Sequence, residues 1–203
     1  MDAIKTFIHA GYRVTIQQDT DAQSPEDWGN DDLFLVASHR QFDVRRKGFD
    51  CDADTPKEHK ADYHVLPLIA YIHSGVALSL GSDSYPFNDA WDAGQVGWVL
   101  VQKRAGFRNI RKAAQSLVAE WNQYLSGDVY GYIVSAVESG DDDTDIDEMY
   151  ESELAELEEL EHVDSCWGFY GLEYCEAEAK RAAEYARGQE NTETAKINSV
   201  MAL

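Results

Sequence analysis

The chain is poor in cysteine and proline, and over its last third it is almost without positive charge. Three cysteines in 203 residues, Cys51, Cys166 and Cys175, are an odd number. Their spacings fit neither a disulfide framework nor a zinc motif, so they are expected as reduced side chains packed like small hydrophobes. No apolar run approaches the roughly 18 residues that a membrane-spanning helix needs. The opening MDAIKTFIHAGYRV lacks the pattern of a signal peptide. The expected location is therefore the cytoplasm. Hydrophobic residues at 44% and aromatics at 11% supply a core and argue against wholesale disorder.

The net charge is −21, and its placement carries more information than its size. Residues 1–137 hold 18 acidic and 13 basic side chains, whereas residues 138–203 hold 20 acidic and 4 basic. Adaptation to high salt would acidify the whole surface, so this asymmetry marks a local feature. An acidic surface repels nucleic acid and anionic membrane and attracts basic proteins.

Patterning along the chain indicates an α+β fold. YRVTIQQ (12–18), LFLVASH (33–39), VGWVLVQ (96–102), VYGYIVSAV (129–137) and HVDSCWGFYG (162–171) read as strands. YHVLPLIAYIHSG (63–75) reads as an edge strand or a broken one because of Pro67, and it turns at His73-Ser74-Gly75 into VALSL. Residues 40–62 read as a long polar connection. Ile110, Ala113, Ala114, Leu117, Val118, Trp121 and Leu125 share one face of a helix over 108–125, with Gly127 placed to end it. Residues 172–187 form an alanine-rich helix, and the tail 188–203 is expected to fray. The expectation is one domain over 1–203: an antiparallel sheet with helices on one face and an acidic helical insertion at 138–162.

That insertion is the strongest functional signal. Residues 141–161 contain 12 acids and no Lys, Arg or His. The acids are Asp141, Asp142, Asp143, Asp145, Asp147, Glu148, Glu151, Glu153, Glu156, Glu158, Glu159 and Glu161. Ile146, Tyr150, Leu154, Leu157 and Leu160 recur at helical spacing, so a helix is expected over 145–161. At about 1.5 Å of rise per residue, its acids lie about 3 Å apart along the axis. DNA carries a charge about every 1.7 Å. Such a helix, preformed or folding on contact, resembles DNA in charge density. The plainer alternative is a solvated acidic face, although like charges at i,i+4 repel. DDDTDIDE (141–148) fails as a calcium loop, because Ile146 and Ser152 stand where glycine and glutamate belong.

Other candidates are weaker. His64 and His73, with Asp92 or Cys166, are a possible metal or Cys-His set, but their odd spacing sets the histidines on opposite faces of an uninterrupted strand. Cys166 with His73 would make a hydrolase nucleophile and base. WDAGQVG (91–97) does not open a helix and reads as turn and bulge residues. Trp91, Trp98, Trp121, Trp167, Tyr130, Tyr132, Phe169 and Tyr170 are expected to form an aromatic core and rim. Arg45-Arg46-Lys47 is too short for nucleic-acid binding against this net charge. No cofactor and no metal are expected.

Three segments, LPLIAYIHSG to PFNDAWDAGQVGWVLV (66–101), YLSGDVYGYIV (124–134) and DSCWGFYG (164–171), together resemble a family of accessory proteins of bacteriophages and other mobile elements. The resemblance implies an anti-defence role, such as anti-restriction or anti-CRISPR inhibition, and supplies no catalytic residues. Its implied partner is the basic nucleic-acid-binding surface of a host complex. A hydrolase and a phage structural or assembly protein remain the alternatives.

Overall fold

The computed structural model describes residues 3–52, 54–81, 93–137 and 161–201. In chain order the elements are β1 (Ala3–His9), β2 (Tyr12–Gln18), β3 (Leu33–His39), β4 (Phe42–Val44), α1 (Thr55–His59), β5 (Tyr63–Ile72), β6 (Val76–Leu80), β7 (Ala93–Gln102), α2 (Ile110–Ser126), β8 (Val129–Ala136), β9 (His162–Tyr170) and α3 (Leu172–Met201). The fold is α+β, with two antiparallel sheets in the orders β1-β2-β8-β9 and β4-β3-β7-β5-β6. No helix among the described residues is long and apolar enough to cross a membrane.

Two compact units stand where the sequence suggests one domain. Unit 1 comprises residues 1–22 and 127–203, and unit 2 comprises residues 23–126. The cause is a long-range pairing. β2 runs antiparallel to β8 from Tyr12↔Ala136 to Gln18↔Tyr130, so the first strands join a sheet completed at the far end of the chain. Local sequence patterns do not report such pairings.

Unit 1 is a four-stranded sheet with α3 on one face. Ala10 and Gly11 join β1 to β2 with φ of 52° and 84°. Two positive φ values make the turn whose twist suits a hairpin. Cys175, Ala179 and Ala183, spaced by four, form the buried stripe of α3. They pack on Tyr12, Val14, Ile16, Tyr132 and Val134, with Phe169 alongside. Small helix residues against large sheet residues fill the layer. The helix continues to Met201, through most of the tail expected to fray. Gly188 does not stop it, and Thr192 Oγ1 donates to the Gly188 carbonyl at 2.8 Å.

Unit 2 reverses the distribution of bulk. α2 buries Ala114, Leu117, Val118 and Trp121. They meet Leu35, Leu68, Leu78, Leu80, Val99 and Val101 on the sheet. The opposite face carries Phe34, Val36 and Leu100, packed by Phe49, Tyr63 and Trp98. The polar connection 40–62 therefore contains β4 and α1 and supplies aromatic cover, because Phe49 meets Phe34 edge-on at 4.9 Å.

β5 is interior and continuous, not an edge or broken strand. Pro67 is tolerated because its outer side lies past the last paired residue of β6, where its carbonyl accepts the Gly81 amide at 2.8 Å. WDAGQVG does supply a bulge: Leu68 pairs Gly97 and Ile69 pairs Gln95, leaving Val96 as the extra residue. Gly97 is forced by packing, since a Cβ there would lie 1.9 Å from the Val36 carbonyl oxygen.

Candidate functional site

The acidic run connects β8 to β9. These strands pair antiparallel, from Val129↔Tyr170 to Ser135↔His162. The run leaves and returns at one point, where the Ala136 amide donates to the Glu161 carbonyl at 2.8 Å. Glu161 is exposed. The other acids, Asp141 to Glu159, lie outside the described residues, as do most of the expected 145–161 helix and its whole apolar stripe.

Dividing the charge by unit sharpens the asymmetry. Unit 1 holds 24 acidic and 6 basic residues, a net of −18, and unit 2 holds 14 and 11, a net of −3. Within unit 1 the acids of α3 are largely answered by partners. Glu176 accepts from Lys5 at 2.7 Å and Lys180 at 2.6 Å. Those hydrogen bonds hold its carboxyl below the usual range. Glu178 pairs with Arg181, and Glu190 with Arg187 at 3.4 Å. Glu184 meets His9 at 2.9 Å. The run 141–161 has no basic residue of its own. It holds 12 of the 24 acids of unit 1.

The two strands that the run joins in sequence carry two of the segments on which the family resemblance rests. Tyr130 pairs Phe169 and Tyr132 pairs Cys166, so Trp167 and Gly168 together oppose Gly131. This is a β-bulge, with Gly168 at φ 86°. Tyr130 and Tyr132 join the cluster under α3, so Gly131 between them faces away from the helix. The Trp167 ring occupies that space: a Cβ on Gly131 would lie 2.1 Å from it. Trp167 is nonetheless 42% exposed. On the α3 side, the Tyr132 hydroxyl donates to Asp164 at 3.1 Å. Burial, with that hydrogen bond second, raises the Tyr132 pKa.

The expected aromatic core and rim is thus divided. Trp121, Tyr132 and Tyr170 are buried, Tyr130, Phe169 and Trp98 are half-buried, and Trp167 is exposed. Trp98 donates its indole N–H to the Asp52 carbonyl at 2.9 Å. Trp91 lies outside the described residues. Trp167 was the functional candidate least visible in sequence. The available signal was a Trp-Gly pair facing a glycine one strand away, and it needs the register to be read.

The cysteines divide too. Cys175 is buried, and burial pushes its thiol up to about 12. Cys51 is half-buried. Cys166 is exposed, contrary to the expectation that all three pack as hydrophobes, because it sits on β9 at the end of the sheet order. Its thiol donates to the Trp167 carbonyl at 3.9 Å. His162 of the same strand meets the Ser165 hydroxyl instead, at 3.1 Å. Cys166 belongs to unit 1 and His73 to unit 2. No group of three potential metal ligands occurs among the described residues.

In the basic cluster, Arg46 lies over the Phe34 ring at 4.0 Å and pairs with Glu26 at 3.5 Å and with Asp31. It is a structural tie. His73 lines a cavity of about 380 Å³ with His39, Arg40, Gln41 and Gln95 at one end of the unit 2 sheet.

Comparison with protein-family models, curated proteins and solved structures finds no match.

Proposed function

We propose that the protein is a binding protein of phage or mobile-element origin. Its unit 1 occupies the basic nucleic-acid-binding surface of a host defence complex, and residues 141–161 are the principal contact. The observation that carries this reading is the net of −18 on unit 1, concentrated in a run without a basic residue while the acids of α3 are largely paired. The resemblance to mobile-element accessory proteins supplies the anti-defence setting. A surface of this kind binds through counterion release and long-range attraction, both of which salt weakens.

Reversal of Glu151, Glu153, Glu156 and Glu159 to lysine tests the reading. The variant is expected to lose capture of basic nucleic-acid-binding proteins from host lysate while the far-UV spectrum and melting midpoint stay close to those of the parent. Complexes of the parent should elute between low and moderate salt. Undiminished capture and inhibition by the reversed variant would remove the run as the contact.

A further inference from the structure

We propose that the outward edge of β9 is a docking strip for an extended segment of the basic partner carrying consecutive Lys or Arg residues. This rests on the function proposed above and names what the partner offers beside the acidic run.

Each sheet ends in two edges, and β9 is the longest and most exposed of the four edge strands. On β6, Asn122 of α2 acts as a substitute strand: its side chain accepts from the Leu78 amide at 2.7 Å and donates to the Leu78 carbonyl at 2.9 Å. β4 is three residues long. β1 is irregular between Ala3 and Lys5 and carries the Lys5 ammonium. Short strands, irregular register and lysine are the usual protections of an edge. β9 is nine residues long, every side chain from His162 to Trp167 is exposed, and among the described residues no strand pairs its far side. Register shifts at Val163 and at Trp167-Gly168 leave Asp164–Cys166 as the regular stretch. That stretch is too short for backbone pairing to dominate, so side chains must supply the selectivity.

Those side chains favour cations on both faces of the strip. Asp164 lies on the α3 face beside Tyr132, and the Trp167 ring lies on the other. An extended peptide alternates its side chains between two faces. Neighbouring basic residues would thus send one cation toward Asp164 and lay the next across the indole, which attracts it through the ring quadrupole. Exposed Val163 offers apolar surface to a lysine or arginine stem. A second copy of this chain suits the strip poorly, because it would bring another unit of net −18 and a second Asp164 to the same edge.

The experiment titrates the isotope-labelled full chain with an unstructured Lys/Arg-rich dodecapeptide, following amide shifts and hydrogen exchange. Shifts and protection should centre on residues 161–168. Asp164→Asn keeps an acceptor for Tyr132, and Trp167→Leu keeps a side chain over Gly131. Each is expected to weaken binding about two- to fivefold, and together about tenfold. Parental affinity in the double variant overturns the strip. If the lysine reversal at Glu151, Glu153, Glu156 and Glu159 alone abolishes binding, the acidic run stands and the strip falls. If that reversal leaves peptide binding at 161–168 intact, the strip stands and the run is not the contact. A dimeric mass in light scattering that Asp164→Asn leaves unchanged while Trp167→Leu abolishes it would show a second copy to be the occupant, and would overturn the choice of partner.

Discussion

In unit 2 the helix carries the bulk: Leu117, Val118 and Trp121 of α2 press into a sheet of Leu and Val side chains. In unit 1 the sheet carries it: Tyr12, Tyr132 and Phe169 meet a helix stripe of Cys175, Ala179 and Ala183. Both are antiparallel sheets with one long helix, yet their net charges are −3 and −18. Interior packing tolerates either distribution of volume, provided the layer is filled. Surface charge is under no such constraint, so it is free to record what each unit meets outside the chain.

The largest expected effect comes from a glycine at which two strands approach. Gly97→Ala would push a Cβ against the backbone of Val36 and Ala37, which cannot yield without separating β3 from β7. It should cost unit 2 about 3 kcal/mol or more. Gly131→Ala meets only the exposed Trp167 ring, which can swing away, so the cost to unit 1 should be about 1–2 kcal/mol. Hydrogen exchange read separately over the two units would check the order. Equal losses would mean that the Trp167 seat is as rigid as the unit 2 backbone.

Opposed packing predicts opposed responses to core substitutions. Leu117→Ala should open a cavity in unit 2 and cost about 2–4 kcal/mol. In unit 1 the helix has no large residue to remove from its stripe. There Ala179→Leu should overpack and cost about 1–3 kcal/mol. Denaturant melts followed by exchange in each unit would test whether the damage stays where the substitution is made.

The parts of this comparison legible in sequence were those with strong local periodicity. β2, β3, β7, β8, β9, α2 and the first half of α3 all lie where alternation or helical spacing places them. Strand β1 was missed, because its α3 face carries Lys5, Phe7 and His9, two of them polar, while Ile4 and Ile8 stand on the other face, so AIKTFIH shows no clean apolar alternation. Pro67 misled because its cost depends on where a neighbouring strand stops, which is tertiary information. The split into units depended on the pairing of Tyr12 with Ala136, and the exposure of Trp167 on a register shift opposite Gly131. The acidity of residues 141–161 needed no fold to be seen, whereas the β9 edge could not be found without one.

A smaller effect of opposite sign is expected at the β1–β2 turn. Ala10 sits at φ 52°, a region that costs a Cβ-bearing residue on the order of 1 kcal/mol. Asn and Gly enter it more easily. Ala10→Asn should therefore stabilise unit 1 by about 0.5–1 kcal/mol and leave unit 2 unchanged. A thermal melt with exchange over residues 3–18 would detect it. No gain would indicate that the turn is held by its flanking strands at no cost to Ala10.

The smallest effect separates the units by acid titration. In unit 1, hydrogen bonds from Lys180 and Lys5 lower the pKa of Glu176. In unit 2, burial raises those of Glu26 and Glu120, and the nearby Arg46 only partly offsets this for Glu26. A lowered carboxyl stabilises the fold above its unfolded pKa, and that contribution disappears as pH falls through the folded value. A raised carboxyl does the reverse, destabilising the fold at neutral pH and relaxing as pH falls through its raised folded value toward the unfolded one, about 4.3 for glutamate. Carboxyl-carbon NMR between pH 7 and pH 3 should show Glu26 and Glu120 protonating first and Glu176 last. Glu176→Gln should remove unit 1's loss below about pH 4, while Glu120→Gln should raise unit 2's stability at neutral pH. Coincident titration of the three would mean that the Lys5 and Lys180 contacts do not persist in solution, and α3 would lose its main electrostatic tie to β1.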